Sequence, residues 1–250
     1  MFWLAAAFAL TALLYASVGF GGGSTYSALL ALAGFDYRLL PIVSLACNIA
    51  VVAGSSVRFA RAGLTPWRGA ALLTAIAAPA AFLGGLTPVG ETTFLAILGG
   101  GLVLTGLTLL LPATATREGE RADGPGRAAR WMPLAAAPIG YLAGLVGIGG
   151  GIFLAPLLHL SRWNSARAIA ATAALFILVN SLFGLAGQLI KNGPDRLGAA
   201  VAVGLPLLIA VVIGGQIGSL LAVRFLPQSA IRWLTAALTI YVGARLLLGG

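Results

Sequence analysis

Charge is what this 250-residue sequence has least of: Asp, Glu, Lys and Arg together make up 8% of it. A soluble domain carries about 25% charged residues to cover its surface. A globule of this composition could not hydrate itself, which excludes a soluble enzyme or a free nucleic-acid binder. Disorder is excluded as well, because it requires low hydrophobicity and high charge. Here 60% of the residues are hydrophobic and the mean hydropathy is +1.02. The solvent that suits such a chain is lipid. Cysteine is almost missing: Cys47 stands alone, so neither an internal disulfide nor a thiolate metal cluster can form. His159 is also unique, which excludes a multi-histidine metal site. No metal and no cofactor is expected.

Acids are scarcer than bases, 6 against 15, for a net charge of +9. In a membrane protein the excess positive charge collects in cytoplasmic loops and orients the helices, so it does not imply a nucleic-acid partner. All the acids (Asp36, Glu91, Glu118, Glu120, Asp123, Asp195) fall in or beside predicted loops. No carboxylate is left at mid-membrane, where cation-driven transporters often keep one. That absence favours an anionic or neutral substrate.

Apolar runs stand at about 2–18, 24–34, 41–57, 69–87, 90–111, 133–146, 152–160, 168–190, 198–223 and 233–249. The first is apolar from its second residue and lacks a basic leader, so it reads as a retained membrane segment. The long polar stretch Pro112–Trp131 mixes four Arg with three acids, Gly and Pro, and reads as a linker. It divides the chain into a first transmembrane repeat over 1–111, a linker over 112–132 and a second repeat over 133–250.

The halves repeat. Gly19-Phe20-Gly21-Gly22-Gly23 follows the first run, and Gly147-Ile148-Gly149-Gly150-Gly151 lies 128 residues later, after the first run beyond the linker. Each motif precedes a short apolar run, a polar turn and a longer helix carrying one Asn, Asn48 or Asn180. The short runs reach half of a ~30 Å hydrocarbon core. Glycine runs break helices, so each motif is expected to form a broken or re-entrant hairpin that returns to its starting side. With returning hairpins, 11 of the 15 Lys and Arg fall on one side; with single crossings the figure is 10. Only the hairpin arrangement gives each half three full crossings and therefore opposite orientations, the commoner transporter plan. The expected fold is an all-α polytopic membrane protein of two inverted repeats.

Consecutive N–H groups in a glycine turn form a nest for anions, and a half-helix starting after it adds its positive dipole end. Gly21, Gly22, Gly23, Gly149, Gly150 and Gly151 are therefore candidate substrate ligands. Ser24, Asn48, Asn180 and Gln188 are candidate side-chain donors, since buried amides usually face the bundle interior. Tyr26, Ser44, Thr172, Ser181 and Gln216 are further hydrogen-bonding groups, although membrane Ser and Thr mostly bond their own helix. His159 reads as an interfacial residue. A dinucleotide fingerprint is excluded because no strand or soluble βαβ unit surrounds the glycines. No serine-protease elbow accompanies Ser24, so no enzymatic activity is expected.

Two GxGGG copies, each after the first apolar run of its half and before an Asn-bearing helix, resemble the sulfite exporter TauE/SafE family. YLAGLVGIGGGIFLAPLLHL with ARAIAATAALFILVNSLFGLAGQL is the most similar part. The first half matches through VGFGGGSTYSALLALAG and LPIVSLACNIAVVAGSSVRF, though Ser and Tyr follow its glycines. The resemblance implies a multi-pass permease of the bacterial inner membrane that exports sulfite or an organosulfonate such as sulfoacetate. Its implied partners are a small anion and the lipid bilayer, and the sequence leaves room for a homo-oligomer. Two rival readings stay open: a transporter of another small anion, and a non-transporting scaffold in which the glycines only pack helices.

Overall fold

The computed structural model describes residues 1–18, 21–110, 131–221 and 228–248. Most of the expected linker, and Gly19 and Phe20 of the first motif, lie outside these residues. Lipid offers no partner to a peptide group, so a chain this apolar must satisfy its backbone within helices or a closed barrel. Among the described residues every regular element is helical: α1 (Phe2–Val18), α2 (Gly23–Leu32), α3 (Leu40–Arg61), α4 (Trp67–Leu86), α5 (Glu91–Leu110), α6 (Met132–Val146), α7 (Gly151–Leu160), α8 (Ala166–Leu221) and α9 (Gln228–Leu247). Gly193 (φ 71°, ψ 176°), followed by Pro194, breaks α8. Its two limbs are Ala166–Pro194 and Arg196–Gly218.

Five helices are long and apolar enough to cross a bilayer among the described residues: α3, α4, α5 and both limbs of α8. α2 and α7 have 10 residues each, about 15 Å of helix, and cannot. The radial distribution of polarity is that of a protein solvated by lipid. Leu72, Leu83, Leu104, Leu205 and Ile213 face outward, whereas Asn48, Asn180, Gln188, Ser44 and Thr172 are buried. Trp3, Trp67, Trp131 and Trp233 are exposed near helix ends, where amphipathic rings mark the membrane–water boundary.

Small residues hold the helices together, because between apolar helices in lipid the gain comes from close backbone approach. On α6, a Cβ at Gly140 or Gly144 would overlap the backbone of Ala77 or Ala81 on α4. On the second limb of α8, Gly214 and Gly218 meet the backbone of Ala9 and Leu13 on α1 in the same way. The first limb of α8 lies against α4 through Gly184 and Gly187, beside Gly85. Gly99 and Gly106 of α5 pack on Gly243 and Ala236 of α9. That last pair contacts the rest of the chain mainly through α2, α6 and α7.

These contacts also give directions. Ala9 then Leu13 meet Gly214 then Gly218, so α1 and the second limb of α8 run the same way. Val43 lies by Gly204 and Val51 by Gly215, so α3 runs that way too. The chain therefore turns back between α1 and α3, and α2 is the returning segment. Likewise α6 and the first limb of α8 both run with α4, and α7 returns between them. At one end lie the connections 62–66 and 161–165; at the other lie 33–39 and 87–90, where Arg196 pairs with Asp36 at 3.1 Å.

Two outcomes follow. Gly144→Ala, which forces a methyl into the Ala81 backbone, lowers unfolding stability by about 1–3 kcal/mol, the usual cost of overpacking, as read in a denaturation curve. In a Cys47→Ser background, single cysteines in 62–66 and 161–165 react with an impermeant maleimide from one side of the membrane. Cysteines in 35–39 and 87–90 react from the other side.

Candidate functional site

α2 and α7 begin in the same manner. The N-caps Gly22 (φ 81°, ψ 7°) and Gly150 (φ 81°, ψ −13°) are both left-handed. They occupy matching places in the two motifs. A Cβ is disfavoured there by about 1–2 kcal/mol, which explains why each motif places glycine at that position. The first intrahelical bonds are also alike: Tyr26 N–H donates to Gly22 O and Leu154 N–H to Gly150 O, both at 3.0 Å. In α7 the Phe153 N–H also donates to Gly150 O at 3.1 Å; the N–H groups ahead of these bonds lack intrahelical acceptors. Neither cap supplies a side-chain hydrogen bond, and neither first turn holds an acid. Gly23, Ser24, Thr25 and Gly151 are buried, so two positive dipole ends face the protein interior rather than water.

Asn48 lies where the two motifs meet. A Cβ at Gly21 or at Gly23 would overlap its carboxamide, and one at Gly149 would come within 2.8 Å of its Nδ2. The same Gly149 position is 2.9 Å from Ser181 Oγ and from Ile177 Cγ2. Asn48, Asn180 and Ser181 are each 0% exposed, and none of their side-chain polar atoms has a hydrogen-bond partner. An unsatisfied buried amide costs about 1–3 kcal/mol. Two such amides and one hydroxyl, on two neighbouring helices, mark a place where the fold accepts instability. Beside Gly22 the Tyr26 hydroxyl is likewise buried and unpartnered, with its ring stacked on Phe8 at 4.7 Å.

The two halves are not equal here. The motif glycines Gly21 and Gly23 face Asn48, whereas Gly151 faces Ile177 and Gly150 faces Phe176. The start of α2 is hydroxyl-rich (Ser24, Thr25, Tyr26, Ser27), that of α7 apolar (Ile152, Phe153, Leu154). Ser27 Oγ donates to Ser44 Oγ at 2.8 Å and Tyr15 pairs with Thr25 at 3.0 Å. Thr172 bonds Ala168 O of its own helix at 2.8 Å.

Gln188 stands apart from this cluster. Its Nε2 donates to Gly144 O at 2.9 Å and Leu145 O at 3.1 Å, and its Oε1 accepts from Asn192 at 3.3 Å. It closes the carbonyl end of α6 just before the second motif and so positions Gly147 to Gly151. Ser181 and Tyr26, recognised in the sequence only as hydrogen-bonding groups, belong with the cluster. The glycine pairs Gly140/Gly144 and Gly214/Gly218 were legible as G-x-x-x-G signals for helix contact.

Gln188→Leu leaves two buried carbonyls without their donor. It is expected to lower stability by about 1–3 kcal/mol in a thermal or chemical unfolding measurement.

The comparisons with known proteins agree with this architecture. The family model described as "Sulfite exporter TauE/SafE" matches residues 4–246. A relative from Sinorhizobium fredii (strain NBRC 101917 / NGR234), "Probable membrane transporter protein y4hK", is 34% identical over 250 residues, covering 98% of this chain and 97% of its own length. No solved structure matches. A nearly complete family match on a helical, lipid-facing bundle shows that the chain belongs to the sulfite exporter TauE/SafE family of membrane transporters.

Proposed function

We propose that this transporter exports a small sulfur-containing anion, sulfite or an organosulfonate such as sulfoacetate, across a bacterial inner membrane. It does so by alternating access around one mid-depth site. Gly21 to Gly23 and Gly149 to Gly151 supply backbone N–H groups, and Ser24, Asn48 and Asn180 supply side-chain donors, with Ser181 added from the geometry. The observation that carries this reading is the set of buried, unpartnered amides of Asn48 and Asn180 on helices that border two uncapped helix N-termini. Donors converge there and no acid does, an arrangement suited to an anion. An oxoanion accepts from several N–H groups at once, which would repay the stranded amides.

The inverted-repeat plan is part of the proposal. It is supported by the opposed directions of the halves and by reciprocal pairing: α1 packs on the second limb of α8 as α6 packs on α4. In this topology the end holding 62–66 and 161–165 carries Arg58, Arg61, Arg68, Arg162, Arg167 and Arg232 among the described residues, against Arg38, Lys191, Arg196 and Arg245 at the other, and is cytoplasmic by the positive-inside rule. The membrane potential, about 2.3 kcal/mol per charge per 100 mV, then drives an anion outward.

Gly22→Ala and Gly150→Ala do not separate a binding role from a packing role, because both glycines have positive φ. Asn48→Leu and Asn180→Leu do. Each removes unpartnered polar atoms, so folding stability is expected to stay equal or rise. Sulfite efflux from proteoliposomes is expected to fall at least about tenfold, the worth of one hydrogen bond to a charged ligand. The stabilisation of the parent protein by sulfite is expected to vanish with it. Unchanged efflux in both variants would overturn the site. A drop in stability that tracks the drop in efflux would favour a packing role.

A further inference from the structure

Away from the motif junction, a shallow recess of about 10 Å³, open on its outer side, lies between α3 and the second limb of α8. Ala50, Val51, Gly54 and Arg58 line one side, and Val211, Val212, Gly215 and Gln216 the other. Packing does not require its two glycines. A Cβ on Gly215 would meet only Val51 side-chain atoms at 3.7–4.0 Å, and one on Gly54 only Arg58 Nη1 at 3.4 Å. Gly214, the neighbour of Gly215, is by contrast pressed against the Ala9 backbone. The glycines at 54 and 215 thus leave room that no helix contact uses.

Arg58 makes this room chemically specific. It is exposed, and no carboxylate pairs with it among the described residues. The ion pair at Asp36 and Arg196 belongs to the opposite end of the bundle. Helical side chains lean toward the helix N-terminus, and the contact with Gly54 shows Arg58 folded back along α3 in this way. Its guanidinium therefore lies about 10 Å inside the C-terminal end of α3, deeper than a side chain that extends outward to the interface. A bare cation at that depth is costly, whereas a bidentate bond to a phosphate offsets the cost. Val212 on its wall is exposed, as are Val57, Ile213 and Ile217, each next in sequence to a lining residue. A ligand that satisfies both features has an anionic phosphate head and hydrocarbon tails.

We propose that this recess binds the headgroup phosphate of an anionic phospholipid from the leaflet at the arginine-rich end. Arg58 is the phosphate ligand at the mouth of the recess, and the absence of side chains on Gly54 and Gly215 lets the phosphate approach the guanidinium where it lies along α3. The inference does not depend on the transport site, since it uses a different face of α3 and no motif residue.

Native mass spectrometry of the full chain tests it, with the protein equilibrated in detergent containing equal amounts of phosphatidylglycerol and phosphatidylcholine. The parent protein is expected to retain phosphatidylglycerol preferentially. Arg58→Gln is expected to reduce that preference about fivefold to tenfold, the worth of one arginine at an anionic surface. Gly54→Leu, which fills the recess and keeps the charge, is expected to reduce it as much. Arg61→Gln, a cation of the same last turn outside the recess, leaves it nearly unchanged. An undiminished preference in Arg58→Gln or in Gly54→Leu would overturn the proposal. So would release of the lipid by millimolar sulfate, which would assign the recess to a free oxoanion instead.

Discussion

A helix that stops inside a lipid-embedded protein strands peptide groups where no water can reach them. The other features of this structure answer that problem, which it poses twice. α6 gives up its last carbonyls before Gly147, and Gln188 reaches across from α8 to take two of them. Gly147 turns left-handed (φ 78°) and sends its N–H back to Ala143 O at 3.0 Å. The donors at the start of α7, and those at the start of α2, receive no side-chain cap. The carbonyl end is closed by protein, and the N–H end is left open toward the interior. That asymmetry, more than the glycines themselves, gives the junction its chemical character.

Holding such interrupted segments in place requires tight surroundings, and the glycine contacts supply them. Backbone-to-backbone approach at Gly140, Gly144, Gly184, Gly214 and Gly218 fastens α1, α4, α6 and α8 to one another. α3 runs through this frame, carrying Asn48 to the motifs and Arg58 to the outer face. Its own ends are conventional: Pro41 sits in the first turn, where its missing N–H costs nothing, and the basic Arg61 in the last.

The element boundaries were legible in the sequence because lipid imposes a simple rule. An apolar run of sufficient length is a helix, and glycine or polar residues end it. The starts of α2 and α7 at Gly23 and Gly151 follow from the same rule. What could not be read was the difference between equivalent positions. The spacing put Asn48 and Asn180 on comparable faces, but only packing shows that Asn48 is enclosed by glycines of both motifs while the second motif faces Ile177 and Phe176. Composition does not distinguish an amide with filled hydrogen bonds from one without. Gln188 and Asn180 look alike in sequence, yet one closes a helix end and the other is stranded.

The pairing of α5 with α9 has a mechanical consequence. The two helices cling to each other through Gly99, Gly106 and Gly243, and they rest on the bundle chiefly through α6 and the short helices α2 and α7. Those short helices begin at Gly23 and Gly151, at the junction itself. A tilt of the outer pair would therefore press on both short helices together, and on the frame only through α6. The same arrangement makes the pair a handle: a binder clamped across α5 and α9 could hold the junction in one posture without entering it.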